Sequence, residues 1–367
     1  MGTQPVFLRS FALCNMAISF TTPLWILVYF YTVGVFSFIF SLITVLLIVF
    51  RGYKDRRFSI HMLMFQFSSA NTVLQYTVFT QPISLFPIIG GYCEGFIARY
   101  FGIWSHYLIG FLLVSLIFQI ECLVFCFAIK HQSLARVINR HVISDNYYYI
   151  TLFTFNFITV IAYLCFCEAG MQKEEQFMYI QSHHPDYYQE FSKLSNFAIY
   201  DFNYWFIFLI ALAVIAVVFA GFIFIFTTVD MHKMLELLKL KVSSSSFKKY
   251  KMAVVSLFSQ LGASVMLLVP LTGFILTAVS GMENAQGENF LFPNLIALRL
   301  VWSQFILAIC ALHSIINAVI LIWTTPQFRK VLFYKSATSG FHVFNFKVVN
   351  VRPVLPSTSR NDSKNIS

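Results

Sequence analysis

Seven long apolar runs, each closed by charged or turn-forming residues, constrain this chain more than any other feature. They span 26–50, 58–79, 100–129, 147–167, 204–229, 252–279 and 300–323. A helix needs about 20 apolar residues to cross the roughly 30 Å hydrocarbon core of a bilayer, and every run reaches that length. Backbone polar groups inside lipid must be satisfied within the protein, which leaves helices or the strands of a closed barrel. Barrel strands are about 10 residues long and alternate in polarity, whereas these runs are continuous and twice as long. The pattern predicts an all-α membrane protein, a bundle of seven transmembrane helices.

Composition agrees. Hydrophobic residues make up 58% of the 367 and charged residues 11%, against about 25% charged in soluble domains. A water-soluble fold of this size has too few charges here to cover its exterior. The net charge of +10 would in a soluble chain suggest nucleic acid. Here the basic residues are spread through the gaps between runs, so the lipid bilayer is the expected partner and nucleic acid is not. Seven cysteines, an odd number mostly inside the runs, do not make a disulfide scaffold.

The gaps also orient the chain, because Lys and Arg concentrate on the cytoplasmic side. With the N-terminus outside, the cytoplasmic segments hold 20 Lys and Arg and the outer ones 5. The expected organisation is a short extracellular segment over 1–25 and the seven-helix domain over 26–323. An amphipathic juxtamembrane segment follows over 324–334, and a disordered cytoplasmic tail over 335–367. The stretch Asp230–Lys251 between runs five and six, with its serines 243–246, reads as a basic loop. It is either a linker attracted to the anionic leaflet or a docking surface.

No catalytic pattern is present: there is no His-Glu-x-x-His, no phosphate-binding glycine loop and no Gly-x-Ser-x-Gly. His183-His184 and the Cys165-x-Cys167 pair are too sparse for a metal site. No cofactor, metal or enzymatic activity is therefore expected. Cys93 precedes run three on the oxidising side, where a disulfide to Cys167 or Cys165 would tether the second outer loop. Glu121, the only acid inside a run, needs a partner or an interior position. Asn71, Gln119, Asn156, Gln260, His313 and Asn317 are suited to hydrogen bonding between helices. Pro270, in the middle of run six, removes a backbone donor and can act as a hinge.

The chain resembles a G-protein-coupled receptor, and more narrowly the nematode serpentine chemoreceptors, the class I and class H groups of the Str-type superfamily. The resemblance is carried by Gln81-Pro82-Ile83-Ser84-Leu85-Phe86-Pro87 with Gly90-Gly91-Tyr92, and by Gly102-Ile103-Trp104-Ser105-His106-Tyr107. It continues with Cys126-Phe127-Ala128-Ile129-Lys130-His131-Gln132, Ser256-Leu257-Phe258-Ser259-Gln260 and Thr325-Pro326-Gln327-Phe328-Arg329-Lys330. It covers roughly residues 20–335. The rhodopsin-type Asp/Glu-Arg-Tyr triplet and Asn-Pro-x-x-Tyr are absent: Glu121 is followed by Cys122-Leu123, and Asn317 by Ala318-Val319-Ile320-Leu321.

The resemblance implies a receptor at the plasma membrane, in the cilia of chemosensory neurons, that passes small-molecule binding to a heterotrimeric G protein. The alternative is a seven-helix transporter or ligand-gated channel. The outer third of the bundle offers Trp104, His106, Tyr107, Tyr204, Trp205, Trp302 and Gln304 as ligand contacts, although a lipid-interface aromatic belt explains the same pattern. Lys130, His131, Lys248, Lys249, Lys251 and Arg329 are the corresponding docking residues for the G protein.

Overall fold

The computed structural model describes residues 20, 22–51, 56–85, 88–194, 196–286 and 293–334, with the side chains of 51, 145, 266–304, 306, 333 and 334 outside the description. Seven long helices form among these residues: α1 (Leu24–Arg51), α2 (Arg56–Leu74), α4 (Ser105–Ile138), α5 (Asp145–Ala169), α8 (Tyr204–Lys241), α9 (Ser244–Gln286) and α10 (Pro293–Thr324). The short helices are α3 (Phe96–Phe101), α6 (Lys173–His183), α7 (Tyr188–Lys193) and α11 (Pro326–Arg329). Of the long helices, α1, α4, α5, α8 and α10 carry described segments long and apolar enough to cross a membrane. In α2 the apolar run is diluted by Ser59, Ser68, Ser69 and Asn71.

Helices α1, α4 and α5 are placed by the stripes they bury. On α1, Ile26, Phe30, Val33, Ser37, Ser41, Thr44 and Leu47 are buried in steps of three and four, with Ile48 beside them, which holds one face against its neighbours. That face meets α2 and α10. Helix α4 packs against α2, α5, α8 and α9, which makes it the central helix. Helix α5 buries only a narrow face, at Thr159, Ala162, Cys165, Phe166 and Ala169.

Three segments differ from the sequence expectation. The third run does not form one helix from Tyr100. Helix α3 ends at a left-handed Gly102 (φ 63°), and α4 begins at Ser105. Glu121 then lies 16 residues along α4, about 24 Å at 1.5 Å per residue, close to the middle of the helix. The basic stretch 230–251 is not a loop either. Met231, Met234 and Leu238 are fully buried at i, i+3 and i+7, so packing carries α8 on to Lys241. Ser243 then caps α9, its Oγ accepting from Ser246 N at 3.4 Å. After α10, Phe328 of α11 is fully buried in the bundle's own core, with Val331 and Leu332 packed around it.

At the end of the bundle where α1 begins, three short strands form an antiparallel sheet in the order β1 (Pro82–Ser84), β2 (Gly90–Cys93), β3 (Phe197–Ile199). The first two come from the α2–α3 connection and the third from the α5–α8 insert. The register pairs Ile83 with Tyr92 and Gly91 with Ala198. The middle strand depends on its glycines: a Cβ on Gly91 would lie 2.4 Å from Ile83 O, and one on Gly90 2.5 Å from Ala198 O. Glycine is what lets these backbones approach so closely. The sheet, with Ile180 of α6 and Phe191 of α7, closes over Ile26 and Phe30 of α1 in one apolar cluster.

Candidate functional site

At the sheet end, the residues around the start of α4 are engaged with one another. The indole Nε1 of Trp104 donates to Phe197 O at 2.9 Å. His106 is 0% exposed and stacks on Phe166, with ring centroids 4.6 Å apart. Its Nε2–H donates to Cys167 O at 3.3 Å, and its Nδ1 accepts from the Tyr200 hydroxyl at 3.1 Å. Both ring nitrogens are used, joining α4, the last turn of α5 and the residue after β3. Asn196 completes the junction: Oδ1 accepts from Ser105 N at 2.6 Å and Nδ2 donates to Ile103 O. Beside it, Trp104, Lys173, Asn196 and Phe197 line a shallow surface cleft.

The other expected ligand contacts do not gather here. Tyr107 is exposed, and Tyr204 and Trp205 point outward, Tyr204 being 92% exposed. The side chains of Trp302 and Gln304, like that of the expected hinge Pro270, lie outside the described residues. Helix α9 runs through position 270 without a break.

The expected disulfide is not formed. Cys93, Cys165 and Cys167 are all free, because β2 turns Cys93 toward α4 rather than α5. Cys93 N donates to Ser105 Oγ at 3.0 Å, and its Sγ is 4.0 Å from Ser105 O. Burial pushes the Cys93 thiol up to about 12, which keeps it protonated.

Midway along the bundle a polar layer separates two apolar clusters, one beneath the sheet and one at the opposite end. Gln119 Nε2 donates to His313 Nε2 at 2.7 Å, and Ser69 Oγ lies 3.4 Å from the same nitrogen. Ser41 of α1 meets Ser314 of α10 at 3.3 Å, and Asn71 Nδ2 donates to Ser115 Oγ at 3.4 Å. Asn156 faces outward and bonds its own helix at Leu152 O. Glu121 turns away from the layer, accepting from Thr159 of α5.

At the opposite, basic end the expected docking residues divide into two groups. Lys248, Lys249 and Lys251 are exposed on the first turns of α9, and Arg329 is half-buried. Lys130 is 6% exposed, with its ammonium 5.2 Å from the Phe58 ring centroid on α2 and 5.1 Å from that of Tyr250 on α9. His131 Nε2–H donates to Asp230 Oδ2 of α8 at 2.7 Å, while its Nδ1 accepts from Gln132 Nε2 at 3.3 Å. His141, in the α4–α5 turn, brings Nδ1 within 3.6 Å of the same carboxylate oxygen. Sequence reasoning missed Asp230, although it is a rare acid in a basic stretch. It also missed Phe58 and Tyr250, which no charge pattern marks.

A family model described as serpentine type 7TM GPCR chemoreceptor Sri matches residues 16–332. The chain belongs to this family. The match takes in every helix from α1 to α11, so the Sri chain is a multi-pass membrane protein of the seven-transmembrane type. It belongs to a receptor family rather than an enzyme family, and of the two groups suggested by the sequence the match selects class I. No curated protein matches the chain. Among its described residues no three His, Cys, Asp or Glu side chains converge as a metal site would require.

Proposed function

We propose that this Sri chain is a chemosensory receptor of the sensory-neuron plasma membrane, in cilia, which binds a small molecule at its sheet end and signals to a heterotrimeric G protein at its basic end. The observation that carries the reading is the asymmetry of its two ends. Twenty Lys and Arg fall on the side of the α1–α2, α4–α5 and α8–α9 connections and the tail, and five on the sheet side. By the positive-inside rule the sheet is extracellular and the basic end cytosolic. Family membership supplies the receptor class. A ligand preferring one arrangement of the helices would shift a two-state equilibrium, and α4 is the route, since it runs from the Trp104–His106 junction to Lys130 and His131.

Two measurements test this. The sequons Asn361-Asp362-Ser363 and Asn365-Ile366-Ser367 stay unglycosylated if the tail is cytosolic, so a glycosidase-sensitive mass shift removed by mutating Asn361 and Asn365 reverses the orientation. Expression in cultured cells, with G-protein activation and whole-cell current recorded across an odorant panel, tests the output. Activation without current is expected, and current that persists with G-protein signalling blocked makes the chain a channel.

A further inference from the structure

The polar layer contains more hydrogen-bonding capacity than its own side chains use. Asn317 of α10 is 0% exposed, and neither its Oδ1 nor its Nδ2 has a partner among the described residues. The Oε1 atoms of Gln119 on α4 and Gln260 on α9 are likewise buried and unpartnered. These groups come from three helices. Helix α9 packs against both α10 and α4, and the Gln119–His313 bond closes the triangle. Buried polar groups in proteins are almost always satisfied, by protein or by ordered water, and inside a bilayer bulk solvent cannot reach them.

We infer that this layer is a binding site for internal water molecules, which complete the hydrogen bonds of Asn317, Gln119 and Gln260 and so join α4, α9 and α10. The occupant must both donate and accept, because Asn317 Nδ2 is a donor and the three amide oxygens are acceptors. Water does both, whereas a cation would leave Nδ2 unmet. The layer also lacks the carboxylate a buried cation needs. Glu121, the only acid within the seven apolar runs, is turned to Thr159 on α5.

The test uses the purified full chain. Gln260 Nε2 donates to Met62 Sδ at 3.6 Å, placing a fully buried methionine beside the site. Met234 of α8, equally buried and in the same apolar cluster as Met62, is the control. Radiolysis makes hydroxyl radicals from bound water, so Met62 should be oxidised several-fold faster than Met234, and that excess should disappear in Gln260→Leu. Equal rates at Met62 and Met234 overturn the inference. Asn317→Leu removes both orphan groups while keeping the number and branching of the side-chain heavy atoms. If they are hydrated, the thermal midpoint falls, and a midpoint that holds or rises means the layer is dry. The midpoint of the unmodified chain should be the same in sodium chloride and choline chloride. Stabilisation by sodium that is lost in Asn317→Leu makes the occupant a cation and overturns the assignment. None of these readouts depends on ligand response or G-protein coupling.

Discussion

Lys130 on α4 places its ammonium 5.1 Å from the centre of the Tyr250 ring on α9, so the central helix and the helix bearing the exposed basic turn are tied at the basic end by a buried cation–π contact. Phe58 of α2 lies on the same ammonium at 5.2 Å. A cation over an aromatic face is worth about 0.5–2 kcal/mol depending on desolvation. Lys130 is therefore part of a closure that any partner entering between α4 and α9 has to open, rather than a free docking charge.

Tyr250→Leu tests this closure. Losing roughly 1 kcal/mol from the closed state alone raises the open-to-closed ratio about fivefold. Ligand-independent G-protein activation should rise accordingly, while Tyr250→Phe, which keeps the ring, should leave it near the unmodified level. Equal behaviour of the two variants would show that the contact does not hold the ends together.

His106 is expected to act through structure. Both its nitrogens are bonded, to Tyr200 and Cys167, and its ring is stacked on Phe166. His106→Ala opens a cavity and strands the Tyr200 hydroxyl and Cys167 carbonyl, a loss of about 3 kcal/mol. Surface expression and ligand response should fall together when measured on the same cells. A response lost at normal expression would return His106 to the ligand site.

Cys93 should be chemically silent. Its thiol is raised to about 12 by burial, so at neutral pH almost none is thiolate, the reactive form. Because the shift is upward, reactivity appears only as pH climbs toward that value. Peptide mapping after treatment with a maleimide at neutral pH should find Cys93 unmodified in the folded protein and modified after denaturation. Cys93→Ala should leave electrophoretic mobility insensitive to reductant, as in the unmodified chain. A reductant-sensitive form abolished by either Cys93→Ala or Cys167→Ala would establish the disulfide.

The sequence makes the seven helices legible because apolar length is a local property, readable run by run. It hides what depends on pairing between distant segments. Nothing in Phe197–Ile199 alone announces a strand, since β3 depends on Gly90 letting β2 lie close to it, as Gly91 lets β2 lie close to β1. The extension of α8 was encoded, in Met231, Met234 and Leu238, but the surrounding lysines obscured it as a charged loop. The site residues show the same division. Lys130 and His131 were recognisable as basic residues at a helix end, whereas their burial follows from Phe58, Asp230 and Tyr250, which lie 72 or more residues away along the chain.

Lys248, Lys249 and Lys251 lie on the first turns of α9 and are open to solvent, next to Tyr250, which faces inward to Lys130. A partner approaching this end meets the three lysines first, and exposed rim charges mainly steer association. Single reversals should therefore change little, while Lys248→Glu, Lys249→Glu and Lys251→Glu together should cut G-protein activation by about tenfold or more, with ligand affinity preserved. The triple change also weakens the positive-inside signal, so orientation has to be verified by protease protection of the tail before activation is compared. In a correctly oriented triple variant, normal activation would remove these lysines from the docking face and leave the Lys130 closure as the remaining candidate for coupling at that end.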